Sequence, residues 1–242
     1  MDRLKSGEWD LIRTFGAFTA LLLFTTGGSA TADGDLSARN RSIVAANPQA
    51  GAAFTVERDG SIRHLPSGAD CPADFPNVHL ADVQVFSSAT IGTDVGCDYA
   101  RVDGQGRVVS KLTIFLVKQV AGANLDSVFA GYEQEVRRAH PEATEVPAAL
   151  HITDQSTGKD NADYRAAGYT VVQDQKMYHS ELIVSLFEGW VVEVRATYPN
   201  AIIYVDKNTS RDEIANQLND IKTPYLAFME VHDSIGEVAS SR

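Results

Sequence analysis

The sequence predicts an α+β protein: a twisted antiparallel sheet with helices packed against it. Three observations carry that reading. Lys176–Phe187 and Trp190–Tyr198 alternate apolar and polar residues around Glu188-Gly189, as a half-buried antiparallel hairpin requires. Arg107–Lys118 is apolar on both faces, with Val109, Phe115 and Val117 on one and Leu112, Ile114 and Leu116 on the other, which suits a central strand. Leu125, Val128, Phe129, Tyr132, Val136 and Ala139 recur at helical spacing.

In chain order, residues 1–32 read as a signal peptide. Arg3, Lys5 and Arg13 precede an apolar run, Phe15–Phe24, and Ala30 and Ala32 match the A-x-A rule, so cleavage is expected before Asp33. Asp2, Glu8 and Asp10 offset the basic residues, which departs from the usual pattern. The run is well short of the roughly 20 residues that span a bilayer, so no stable membrane span is expected after cleavage. Residues 33–52 are rich in Ala, Asn, Gly and Ser without a sustained period, and read as a flexible N-terminal arm.

A single α+β domain is expected over residues 53–232. Asp59-Gly60 between two short alternating runs predicts a hairpin of Phe54–Arg58 with Ser61–Leu65. Val78–Phe86 alternates as a strand, and Val95, Cys97 and Tyr99 share one face of the next. Asp103–Gly106 is a turn before the central strand. Pro141 ends the helix that begins at Leu125. Short strands are expected at Val146–Ile152 and Tyr169–Gln173. A final helix starts near Ser210, where Ser210 and Glu213 have capping-box spacing, and Pro224 either kinks or divides it. Residues 233–242 read as a polar tail. Hairpin-then-helix thus occurs twice, which suits an α+β grammar and leaves a true duplication open.

Cys71 and Cys97 are the two cysteines of the chain, and in an exported protein they suggest one disulfide. Two buried thiols or an intermolecular bridge are the alternatives. The formal net charge of −11 repels phosphate backbones, so nucleic acid is not an expected partner. No nucleophile elbow, helical zinc pair, dinucleotide loop or phosphate loop is present. The Gly104-Gln105-Gly106 and Gly158-Lys159 fragments lack the residues that would complete them.

The sequence assigns no catalytic, cofactor-binding or metal-ligating residue. Asp154, Asp160 and Asp163 share a polar loop without the spacing of a calcium site. Asp206, Asp212 and Glu213 surround a helix start, where carboxylates serve as caps. His179 and Glu181 share a strand face and could do general acid–base work; His64 stands beside a Pro-Ser-Gly turn. Trp190, Tyr178 and Tyr198 form either core or an aromatic patch.

The stretch from Cys97 to Val117, the helix at 125–139, the Tyr178–Tyr198 hairpin and the final helix together resemble the Mog1/PsbP-like class in element order. That resemblance covers most of residues 78–230 and implies a binding or assembly module; it transfers no site residue. His64-Leu65-Pro66-Ser67-Gly68 followed by Cys71-Pro72 is similar to stretches in uncharacterised exported bacterial proteins. The expected role is an exported, non-catalytic protein, periplasmic or secreted, that binds a protein partner or small ligand without a cofactor. A metal or small-ligand carrier, or a hydrolase using a His–carboxylate pair, is the alternative.

Overall fold

The Asp59-Gly60 turn forms as expected. In the computed structural model, which describes residues 32–86, 90–149, 164–199 and 211–240, Gly60 sits at φ +90°. Strand β1 (Phe54–Val56) pairs antiparallel with β2 (Ile62–His64), Phe54 opposite His64. Strand β3 (Asp70–Cys71) completes a three-stranded sheet in the order β1-β2-β3.

The alternating segments downstream build a larger sheet. It contains β4 (His79–Val85), β5 (Asp94–Val102), β6 (Val108–Lys118), β7 (Thr144–Val146), β8 (Tyr164–Gln173), β9 (Lys176–Phe187) and β10 (Trp190–Pro199). Their order is β4-β5-β6-β10-β9-β8-β7, and every neighbouring pair is antiparallel. The β9–β10 hairpin therefore lays β10 against β6, with Trp190 opposite Lys118 and Thr197 opposite Lys111. Strand β7 ends at Val146, the first residue of the expected Val146–Ile152 strand, whose residues 150–152 lie outside the described residues. Pro147 has no N–H to give the ladder.

Helices cover both faces. Helix α3 (Leu125–Ala139) starts where Asn124 Oδ1 accepts the Ser127 N–H at 2.9 Å. Asp126 in its first turn and Arg137 and Arg138 in its last complement the helix dipole. Leu125, Val128, Phe129 and Tyr132 pack on Tyr169, Val171, Leu182, Val184 and Val191. The opposite face carries the larger core, with Tyr99, Leu112, Ile114, Leu116, Ile183, Val192 and Val194 almost wholly buried.

Helix α4 (Arg211–Ser240) closes that larger core with Tyr225, Phe228, Val231 and Ile235. It runs through Pro224 without dividing. The expected polar tail from 233 is corrected: Ile235 is 2% exposed, and Ser234 Oγ accepts the Asp70 N–H at 3.0 Å. Apolar Ile235 lies four residues beyond Val231, so the helical stripe continues past the three polar residues His232, Asp233 and Ser234.

The expected flexible arm at 33–52 is also corrected. It forms helix α1 (Ala32–Ala46) and the short α2 (Ala50–Ala53). Among the described side chains of α1 the buried ones are Ser37, Asn40 and Val44, two of them polar. Asn40 Nδ2 donates to the Gly60 carbonyl at 2.7 Å, and Arg39 Nη2 pairs with Asp74 Oδ1 at 2.8 Å. A helix held by polar contacts shows no apolar stripe, which is why hydrophobic periodicity misses it.

Cys71 of β3 and Cys97 of β5 form a disulfide, both residues fully buried, so the bridge fastens the small sheet to the large one. No helix among the described residues is long and apolar enough to cross a membrane.

Candidate functional site

Two-residue alternation places His179 and Glu181 on one face of β9, and β10 brings Tyr198 opposite His179. Helix α4 lies over that face. His179 Nε2 is 2.5 Å from Glu181 Oε2. The other carboxylate oxygen, Oε1, accepts from the Tyr225 hydroxyl of α4 and from the Ala149 N–H at 3.1 Å. Gly168 stands opposite Glu181 on β8; a Cβ there would lie 2.8 Å from the Pro147 carbonyl oxygen and 3.1 Å from His179 Cε1. Glycine thus permits the close approach that seats the imidazole.

The expected His–carboxylate pair therefore exists, but its surroundings are those of a clasp. Glu181 is 1% exposed, and its oxygens accept from β9, α4 and the segment after β7. A general base needs a free lone pair within reach of a substrate proton. Tyr198 completes the cluster, its ring 5.1 Å from that of His179 and its hydroxyl without a hydrogen-bond partner among the described residues. Burial pushes the Tyr198 pKa up, and the negative charges of Glu181 and Asp220 push it further.

A second polar knot lies along the same helix. Asp220 of α4 accepts from Arg101 Nη2 of β5 at 2.7 Å and from Asn77 Nδ2. Thr223 Oγ1 donates to Asn77 Oδ1 at 2.9 Å. Burial raises the Asp220 pKa, and Arg101 and Ser110 work against that. These groups dock α4 on the sheet. No sequence signal marks them, because the partners stand 119 and 143 residues apart in the chain.

His64 is not displayed at a site. It is fully buried; Ser67 Oγ lies 2.7 Å from Nδ1, and Nε2 donates to the Gly92 carbonyl at 2.8 Å. The Trp190 ring meets it edge-on at 5.1 Å. Desolvation lowers the His64 pKa from its usual 6.5 to about 4, so it is neutral in the folded protein at pH 7. The unfolded chain binds this proton first, so stability is full above pH 6.5 and falls as pH drops towards about 4. The expected loss is about 3 kcal/mol by pH 4. Denaturant unfolding across that range is expected to show a shallower acid slope in His64→Asn; an unchanged slope would assign the loss to other groups.

Trp190 and Tyr198 belong to the larger core and Tyr178 to the α3 side, so the three aromatics do not form one patch. Glu193, which alternation places on an outward face, is fully buried because α3 covers that face. It pairs with Arg195 Nε, while Arg195 Nη2 donates to Glu135 Oε2 of α3 at 2.7 Å. Burial opposes the Arg195 charge, yet Glu193 and Glu135 outweigh it and hold its pKa above the usual value.

Asp154, Asp160, Asp163, Lys159, Asp206 and the Ser210 cap lie outside the described residues, as do the side chains of Asp212 and Glu213. Among the described residues no group of three or more His, Cys, Asp and Glu side chains is placed to hold a metal.

An open concavity lies elsewhere among the described residues, at an edge that the sequence does not single out. Strand β1 is the outer strand of the small sheet, and α1 and α2 flank it. Together they line an open groove of about 470 Å³ with Val44, Phe54 and Val56 as apolar surface and Arg41 and Asn47 as polar groups. Gly51 of α2 lines it too, and a Cβ built there meets nothing within 4 Å. Searches with protein-family models and against curated proteins return no match for this chain.

Proposed function

We propose that the chain is an exported, non-catalytic protein, periplasmic or secreted, that acts by binding a protein partner or small ligand in the groove beside β1. The observation that carries the compartment is the buried Cys71–Cys97 bridge, since such bridges persist where the surroundings are oxidising. The leader pattern at 1–32 supports the same reading. The groove supports binding: it is concave, largely apolar and supplied with a few polar groups. The resemblance to Mog1/PsbP-like proteins points the same way. The hydrolase alternative loses support because His64 and Glu181 are engaged internally.

Two measurements test the proposal. Mass spectrometry of the native protein is expected to find an N-terminus at Asp33 and the oxidised cysteine pair. An intact Met1 with both thiols reduced would place the protein in another compartment. Gly51→Trp should project an indole into the groove, since a Cβ built at Gly51 meets nothing within 4 Å. Crosslinked partner recovered from an envelope extract should then drop while the melting temperature holds. Equal recovery with Gly51→Trp would remove the groove from the proposal.

A further inference from the structure

The outward ridge of α4 consists of Ala215, Leu218, Lys222, Leu226, Met229 and Asp233, every one exposed. Leu218 is 37% exposed, Leu226 43% and Met229 40%. A helix that already buries Tyr225, Phe228, Val231 and Ile235 ordinarily turns polar residues to solvent. Here half of the ridge is large and apolar. Its spacing, close to an 11-residue repeat, keeps the ridge nearly parallel to the helix axis, so a straight partner helix can follow it over about 27 Å.

We infer that this ridge is a self-association surface on which α4 of a second copy of the chain packs antiparallel. The charges select that occupant. The ridge carries a cation, Lys222, towards its start and an anion, Asp233, at its end, with Leu226 and Met229 between them. Antiparallel pairing with Lys222 opposite Asp233 of the second copy also sets Leu226 opposite Met229 of that copy. A two-fold axis repeats both contacts, as an isologous interface requires. Parallel pairing in register would instead oppose Lys222 to Lys222 and Asp233 to Asp233. The Asp233 side chain is 72% exposed, with His232 Nδ1 no nearer than 3.9 Å, so it is open to a partner cation. The surface is on a different element from the groove beside β1, and the inference stands apart from the binding role.

Sedimentation velocity of the mature chain, from Asp33 on, over a concentration series tests it. A monomer–dimer equilibrium is expected. Leu226→Glu should raise the dissociation constant at least ~10-fold, since it sets a carboxylate into the apolar centre. Lys222→Glu and Asp233→Lys should each weaken the dimer, and the double exchange K222E/D233K should restore it. Because these side chains are exposed, thermal melting of each variant under monomeric conditions should match the wild type, which separates lost association from lost folding. A chain that stays monomeric up to ~100 μM, or a double exchange that fails to restore what the single changes lose, overturns the inference.

Discussion

Glu181→Ala is expected to cost about 3–5 kcal/mol of folding stability. The carboxylate is 1% exposed and accepts from His179, Tyr225 and Ala149. Its removal leaves those donors facing one another in a buried space. Each buried donor left without a partner costs about 1–3 kcal/mol. Relaxation and water entry recover part of that sum. The loss should also be directional, because the clasp joins β9 to α4. Amide exchange along α4 is expected to speed up more than exchange in β5 and β6.

Glu181→Gln keeps the shape and one acceptor oxygen, so it should cost clearly less than alanine. Tyr225→Phe removes one donor and should cost about 1 kcal/mol. Urea unfolding of the three variants ranks them. If Glu181→Ala lay within about 1 kcal/mol of wild type, the cluster would be a surface feature in energetic terms and the clasp reading would fail.

The second large effect belongs to the disulfide. Cys71 and Cys97 are separated by 26 positions, and closing a loop of that size restricts the unfolded chain by roughly 3 kcal/mol. The double variant C71A/C97A is therefore expected to melt about 6–12 °C lower. The bridge also has a structural address. It ties β3, the inner end of a three-stranded sheet with very short strands, to β5 of the large sheet. A small sheet of this kind has little independent stability. Opening of β1–β3, read by amide exchange, should rise more in the double variant than opening of β6 and β10. Equal melting of the oxidised, reduced and doubly substituted proteins would show that packing alone holds the two sheets together.

The clasp and the bridge differ in how far the residues announce them. Cysteine count and an export pattern are enough to propose the Cys71–Cys97 pairing, since only two sulfurs are present. His179 and Glu181 are also legible as neighbours, because strand alternation puts residues two apart on one face. Their burial is not legible. It depends on α4, which starts more than 20 residues after β9 ends and arrives over His179 and Glu181 only through tertiary packing. The same reason hides Glu193: a carboxylate alternating with Val192 and Val194 looks solvent-facing until α3 is known to cover that side of β10. Helix α1 was hidden differently. Ser37 and Asn40 bury polar groups whose partners, Glu57 and Gly60, lie about 20 residues downstream, and hydropathy cannot register such contacts.

Local rules in the residues determined the longer strands, the hairpin turns at Asp59-Gly60 and Glu188-Gly189, helix α3 and the disulfide, because each depends on periodicity, turn chemistry or cysteine count within a short span of chain; the short β3 and β7 were not among them. Tertiary structure alone decided the strand order that inserts β10 between β6 and β9, the sealing of Glu181 and His64, and the groove beside β1. Those features arise where segments distant in sequence meet, and the free energy that settles them is burial and hydrogen-bond satisfaction between surfaces that no single segment contains.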